Sequence, residues 1–379
     1  MTLSWIESRF RSSPALELKR IDELQPAQRD ALAELQRDPD FYGVLVPRLA
    51  GAATLKSVGQ QTASLLTRLA MPSSLPAALF ADDAWRNDIL DLVLDGILEI
   101  ECEGRFVFGS EALPLLVADV PRPMEAPAHV PALSLEALRH AEALSTRDAA
   151  EMTGALYSYN RLPRTRVWAS RFPDRQAVLD HLGDHPLLER HWIRSQANSG
   201  WISWQSRSPR PGEQTAVTWK LYVSPRPEHI REAFSALVRV LAAIEGAQMK
   251  IGPDAAGLLR PDKLVAYFPY KEDLDLAASE LGTELRGCPA HGVPFTAALD
   301  EQGLLSWGAD PPDSARALSW LDRESWRLWV AKTLAAALAI AKQAPAPALP
   351  PWQFALERAR RHGVDVRTWA PSASLWSSS

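Results

Sequence analysis

Thr218-Trp-Lys-Leu-Tyr-Val-Ser224 and, one helix later, Gln248-Met-Lys-Ile-Gly252 decide how this chain is to be read. Successive side chains of a β-strand point to opposite faces, so Lys220 and Tyr222 share one face while Trp219, Leu221 and Val223 share the other. The second run sets Lys250 between Met249 and Ile251 in the same way. A lysine inside an apolar strand needs water or a partner, because an unpaired ammonium is expensive to desolvate. Two readings stay open. The lysines lie on the solvated face of a half-buried sheet, or they build a cationic site for an anion in which one amine serves as a base.

Working outward, residues 228–244 carry Ile230, Phe234, Leu237, Val238, Leu241 and Ile244 on one helical stripe. A third strand, Lys263-Leu-Val-Ala-Tyr-Phe268, follows Gly257-Leu-Leu-Arg-Pro-Asp262. A helix over about 271–285 and the loop Gly287-Cys-Pro-Ala-His-Gly-Val-Pro-Phe295 come next. Strand, helix, strand, strand, helix is an α+β order, with a mixed or antiparallel sheet covered by helices.

The N-terminal part, 1–118, reads as a helix-rich domain containing a small winged-helix module over about 75–116. Trp85, Ile89, Leu92 and Val93 fall at helical spacing, and Asp95-Gly96 ends that helix in a turn. Ile97-Leu-Glu-Ile-Glu101 and Arg105-Phe-Val-Phe108 are strands joined at Glu103-Gly104, a hairpin turn. The module carries more acid than base, the wrong sign for neutralising phosphates, so nucleic acid is not expected as a partner. A wing can instead take a peptide as an added edge strand, in the manner of the leader-peptide recognition modules of ribosomal-peptide modifying enzymes. Packing alone is the other reading. Asp119 to Pro131 holds four prolines in thirteen residues and predicts an extended linker, 119–134, before a second domain at 135–343. A second proline cluster sets off a C-terminal helix and tail, 344–379.

Composition excludes several classes. Cys102 and Cys288 are the only cysteines, so neither a disulfide framework nor a paired CxxC site is possible. HExxH, GxxxxGK[ST] and a strand-borne GxGxxG are absent, which leaves zinc hydrolase, nucleotidase and dinucleotide readings without support; no metal or cofactor is expected. The histidines at 181, 185 and 191 are irregularly spaced. No basic, then apolar, signal segment opens the chain, and its most apolar stretch, 329–341, is too short to span a bilayer. A cytoplasmic protein without a membrane partner is the expectation.

Lys220-Leu-Tyr222, the helix after it, Met249-Lys250 and the arginine-bearing loop entering Val265-Ala-Tyr-Phe268 resemble the lyase core of bacterial phosphothreonine lyases. Asn198-Ser-Gly-Trp-Ile-Ser-Trp204, Lys220-Leu-Tyr-Val-Ser-Pro225 and His291-Gly-Val-Pro-Phe-Thr296 are similar to the type III effector Hop-A family. Members of that family also occur in gene clusters for class V lanthipeptides and thioamide-containing peptides (thioamitides). There they are assigned as lyases that dehydrate Ser and Thr beside a kinase-like protein. The resemblance spans roughly 135–312 and rests on short motifs. It implies elimination of phosphate from phospho-Ser/Thr of a ribosomally synthesised precursor peptide, giving dehydroamino acids. Its partners would be that peptide and a kinase-like modifying enzyme.

In that pattern Lys220 matches the base that takes the Cα proton. Tyr222 stands where the family carries the histidine that protonates the leaving group, a departure, because a phenol of pKa near 10 is a poorer acid. His291 is a substitute acid if its loop folds back. Lys250 matches a second lysine, lowering the pKa of Lys220 and stabilising enolate charge. Arg260 matches a phosphate-binding arginine, with Lys263 as an assistant. Arg161, Arg164 and Arg166 form the densest basic run of the second part, either a phosphopeptide clamp or a solvated loop. Trp201, Trp204 and Trp219 are candidates to line a peptide groove, whereas Trp307, Trp326 and Trp329 are expected to pack. The alternative is a non-catalytic peptide-binding or scaffold protein, or an effector-like interaction protein. The missing histidine favours that alternative, and Lys220, Lys250 and Arg260 favour the lyase.

Overall fold

The computed structural model describes residues 4–48, 55–117, 129–195, 200–210, 217–312 and 324–375. They form two compact units that do not follow the linear order of the prolines. One comprises the described residues of Met1–Arg122, Thr146–Ala149 and Ala336–Glu357; the other those of Pro123–Ser145, Ala150–Ala335 and Arg358–Ser379. No helix among the described residues is long and apolar enough to cross a membrane.

The first unit contains strands β1 (Arg9–Ser12), β2 (Leu16–Lys19), β3 (Phe41–Pro47), β4 (Lys56–Gly59), β5 (Ser73–Ser74), β6 (Leu98–Cys102) and β7 (Arg105–Val107). They pair as β2-β3-β4 and β5-β1-β6-β7. The helix Asp83–Leu94 begins at Asp82, whose carboxylate accepts from the Ala84 N–H, and buries Ile89, Leu90, Val93 and Leu94. The β6–β7 hairpin turns through Glu103 and Gly104, both at positive φ, as a primed turn requires. The expected two-stranded ribbon is in fact part of a four-stranded sheet, because Phe10 of β1 pairs with Ile100 of β6. The acid excess is partly spent inside the unit: Glu99 is buried, 2.6 Å from Arg11 and 3.3 Å from the Ser13 hydroxyl.

The second unit is built on one antiparallel sheet. Its strands are β8 (Trp192–Ser195), β9 (Ile202–Ser206), β10 (Trp219–Val223), β11 (Gln248–Ile251), β12 (Leu264–Phe268), β13 (Ala297–Ala298) and β14 (Leu305–Ala309), in the order β13-β14-β10-β12-β11-β9-β8. One face presents Ile202, Trp204, Leu221, Val223, Met249, Ile251, Leu264, Ala266 and Phe268 to a continuous core. The helices Ile230–Leu241 and Lys271–Glu284 bury Phe234, Leu237, Leu241, Leu274 and Leu281 in that core. The other face carries the lysines.

Residues 129–134, expected in the linker, are instead the first turns of the helix His129–Ala143. Pro131 is tolerated there because a first-turn residue has no intrahelical acceptor for an N–H. Ser134 fixes this helix to the segment His291–Thr296, its buried hydroxyl accepting from the Phe295 N–H at 2.8 Å. Residues 119–128 of the linker lie outside the described residues.

Between β11 and β12 the chain makes a tight reversal that aims Arg260. Asp254 caps the single turn Ala255–Leu258 by accepting from the Gly257 N–H at 2.8 Å. A Cβ at Gly252 would lie 2.3 Å from the Gly257 carbonyl carbon, and one at Gly257 would lie 2.7 Å from the Gly252 Cα. Only glycine lets the two backbones meet. Gly257→Ala is therefore expected to destabilise the protein by about 1–3 kcal/mol in urea unfolding, whereas an unchanged midpoint would show that the reversal has slack.

Candidate functional site

Register brings the two lysine strands together through β12. Lys220 lies opposite Tyr267, Tyr222 opposite Val265, and Val265 opposite Lys250. All share one face of the sheet, as strand parity requires. The face is not open to water: Lys220 is 6% exposed and Tyr222 3%. Tyr267 forms the floor between the amines, with Lys220 Nζ 5.2 Å and Lys250 Nζ 5.1 Å from its ring centre. Trp201 forms a wall, 4.2 Å from Lys250 Nζ and 5.0 Å from the Arg260 guanidinium carbon.

The cations are held differently. Lys220 is ion-paired with Asp310 at 2.6 Å. Arg260 makes a fork with Asp262, Nε to Oδ1 at 2.8 Å and Nη2 to Oδ2 at 2.9 Å, and Nη2 also donates to the Tyr157 hydroxyl at 3.1 Å. Asp262 is buried, and its second cation is Arg327, 2.7 Å away and 1% exposed. Arg327 in turn donates to the Pro294 and Tyr157 carbonyls, both at 3.1 Å. Lys250 has no carboxylate within ion-pair distance among the described residues.

These surroundings set the proton affinities. Burial, then the charge of Lys220, lowers the Lys250 ammonium from 10.5 to about 8. Burial opposes ionisation of Asp262, but Arg327 and the Arg260 fork outweigh it and hold the carboxyl well below the usual carboxylate range. Burial, with Asp310 next, raises the Tyr222 phenol well above 10, and the same two causes raise Tyr267. Both tyrosines stay protonated at neutral pH.

The remaining candidates fall elsewhere. Lys263 is fully buried and donates to the Pro225 carbonyl at 3.0 Å, so it does not assist at a phosphate site. Its other partner, at 2.8 Å, is Nδ1 of His291, whose Nε2 meets the Asn160 carbonyl at 2.7 Å. With both ring nitrogens occupied, and burial followed by the Lys263 charge lowering its pKa to about 3, His291 is a neutral structural residue rather than a proton donor to a leaving group. Trp204 is also corrected. Ser203 pairs with Lys250, so Trp204 points to the opposite face, where it is buried 5.2 Å from the Phe234 ring. Trp219 stays on the core side against Trp307, and Trp201 alone of the three borders the lysines. Arg161, Arg164 and Arg166 are exposed; Arg161 donates to the Ala256 carbonyl at 3.2 Å, beside the Arg260 reversal, and Arg166 opens a short helix. Of the Asn198 motif, residues 198–199 lie outside the described residues.

Sequence reasoning missed Tyr157, Asp262, Tyr267, Asp310 and Arg327. For two of them a signal existed: Tyr267 shares strand parity with Val265, and Asp262 lies two residues from Arg260, a spacing that allows a fork. Nothing local marks Arg327, which sits in an apolar helix.

No protein-family model matches the sequence, and no curated protein matches it. Among solved structures, the chain is similar to the effector protein from Pseudomonas syringae pv. tomato strain DC3000 (13% identity, TM-score 0.37, covering 63% of this chain and 96% of that one). It is similar to the effector protein from Pseudomonas syringae pv. syringae strain 61 (13% identity, TM-score 0.38, 64% and 96%). A third similarity is to the Chromobacterium violaceum VirA (SpvC) phosphothreonine lyase effector protein (14% identity, TM-score 0.27, 46% and 86%). Likeness of this degree transfers no residue role to this chain.

The Lys250 environment makes a thermodynamic prediction. Because the folded state binds this proton more weakly than the unfolded chain, stability rises with pH between about 8 and 10.5. Below that window the full desolvation cost is present. Lys250→Met removes it, so the variant is expected to melt above the wild type at pH 7, with the gap closing as the pH rises through the window. A gap that does not change with pH would mean that Lys250 is not held against its charge.

Proposed function

We propose that this lysine-bearing face binds a phosphorylated Ser or Thr side chain of a peptide and eliminates its phosphate, leaving a dehydroamino acid. The observation that carries the reading is the unequal treatment of two amines over one aromatic floor. Lys220 is anchored to Asp310 as an ammonium, while Lys250, with no carboxylate beside it, has a pKa of about 8 and is partly the free amine near neutral pH. A base and a fixed positive charge side by side suit abstraction of a proton next to a carbonyl. The base role expected for Lys220 therefore moves to Lys250.

In the elimination, Lys250 takes the Cα proton and its electron pair forms the Cα=Cβ bond. The Cβ–O bond breaks, and the phosphate leaves with the electrons of that bond. Lys220 and the protonated Tyr222 face the developing enolate-like oxygen. Arg260 commits Nε and Nη2 to Asp262 and Tyr157, which leaves Nη1 for the phosphate. Four basic side chains (Lys220, Lys250, Arg260 and Arg327) against two carboxylates (Asp262 and Asp310) keep the cluster attractive to a dianion. The sequence resemblance supplies the rest of the reading: a ribosomally made precursor peptide as substrate, a kinase-like protein as phosphate donor, and the outer edge of β7 as the place where a leader strand adds. The raised pKa of Tyr222 favours a second reading, a phosphopeptide-binding scaffold, because such a phenol is a weak acid for the leaving group.

Incubating the full-length protein with a phosphothreonine peptide and following loss of phosphoric acid by mass decides between them. Elimination is expected, rising along a basic limb near pH 8. Lys250→Ala should lower the rate by about 10²–10⁴-fold while phosphopeptide binding persists. Arg260→Ala should weaken binding of the phosphorylated peptide and leave the unphosphorylated one unaffected. Binding without elimination by the wild type would establish the scaffold reading; neither binding nor elimination would remove both.

A further inference from the structure

A second cluster lies beyond the C-terminal end of β10, apart from the chemistry above. His229, Glu232 and Cys288 each offer one donor atom, and the three atoms lie within 4.8 Å of one another. His229 closes the 3₁₀ turn Pro227–His229 and Glu232 follows in the first turn of the helix Ile230–Leu241. His229 Nδ1 is 3.4 Å from Glu232 Oε2. Cys288 arrives on the loop after the helix Lys271–Glu284, its N–H bonded to the Leu285 carbonyl at 2.9 Å.

Three backbone contacts hold the two segments in register. The Arg226 N–H donates to the Pro289 carbonyl at 2.8 Å, Pro225 bridges Ala290, and the His291 N–H donates to the Ser224 carbonyl at 2.8 Å. The thiol is therefore brought to the histidine by framework rather than by a floppy tail. Cys288 is 5% exposed, while the His229 and Glu232 side chains are 39% and 62% exposed, so an ion can enter from the solvent side and meet the sulfur at the base.

We propose that His229, Glu232 and Cys288 form a three-ligand site for a divalent transition-metal ion of the zinc type. Imidazole, carboxylate and thiolate are the donors zinc takes, at about 2.0–2.3 Å in tetrahedral geometry. Calcium and magnesium take oxygen ligands and gain nothing from sulfur. Tetrahedral donors at those lengths sit about 3.3–3.6 Å apart. The His229–Glu232 separation of 3.4 Å already fits, and the cluster's limit of 4.8 Å leaves about 1.2–1.5 Å to close on metal binding. Water takes the fourth position. Binding converts the Cys288 thiol to thiolate, releasing its proton to solvent, with no change of oxidation state. The bound ion would clip the segment leaving β10 to the segment leading to His291, stiffening the strand that carries Lys220 and Tyr222. This site stands independently of the lyase reading.

The test is a Co²⁺ titration of chelator-treated full-length protein. One equivalent should bind, with a near-ultraviolet thiolate-to-cobalt charge-transfer band that Zn²⁺ then removes. Cys288→Ser should abolish the band, and Cys102→Ser should leave it intact. His229→Ala, a change at a partly exposed position, should weaken binding on the order of tenfold or more while the melting temperature of the metal-free protein stays unchanged. Absence of one-to-one binding by the folded wild type would overturn the proposal. So would a band that survives Cys288→Ser, or affinity untouched by His229→Ala.

Discussion

A carboxylate with almost no exposed surface stays ionised only where cations replace its lost water, and Asp262 meets that demand with two guanidinium groups. Much of the lysine-bearing face follows from this. Arg327 reaches Asp262 from the first turn of the helix Trp326–Ala341 and binds the carbonyls of Pro294 and Tyr157 on the way. Arg260 reaches it from the reversal after β11 and also donates from Nη2 to the Tyr157 hydroxyl. One buried charge thus fixes the relative position of four otherwise separate segments. Removing one partner of such a group is far more damaging than never having built it, because the other is left charged and dry.

The arrangement is costly for stability. Lys220, Tyr222, Lys250 and Tyr267 occupy positions where aliphatic residues would pack at no electrostatic cost. The opposite face shows that alternative, with Leu221, Val223, Met249, Ile251 and Ala266 in continuous contact with the helices. Burial, the first cause of the depressed Lys250 and elevated Tyr222 pKa values, is the electrostatic cost of placing these groups there. Other polar burials lie apart from that face. Lys263 and His291 are also shifted, yet their partners are Pro225 and Asn160 carbonyls and each other, so they brace the turn after β10.

Local sequence pattern carried the second unit a long way. Alternation within Trp219–Val223 was sufficient to set Lys220 and Tyr222 on a common face, and the 3.6-residue stripe of residues 230–244 identified the helix that returns the chain; that Lys250 joins that face was settled by pairing through β12. The helix Asp83–Leu94 and the Glu103-Gly104 turn were legible for the same reason. Periodicity is a property of one element and needs no knowledge of its neighbours. Proline content misled at residues 129–134, since proline forbids a helix interior but not its first turn.

By itself, then, the sequence determined the α+β class and the alternation within each strand that sets Lys220 and Tyr222 on one side and Leu221 and Val223 on the other. Only the tertiary structure decided which partner each charge received. Asp310 lies ninety residues from Lys220, and Arg327 lies sixty-five from Asp262. Trp201 and Trp204, three positions apart, must face opposite ways by alternation, but only the pairing of Ser203 with Lys250 decided which of them meets the lysines. Pairing, dielectric and proton affinity are set by what approaches through space. A residue's strand neighbours dictate where it points, and the rest of the fold dictates what it meets there.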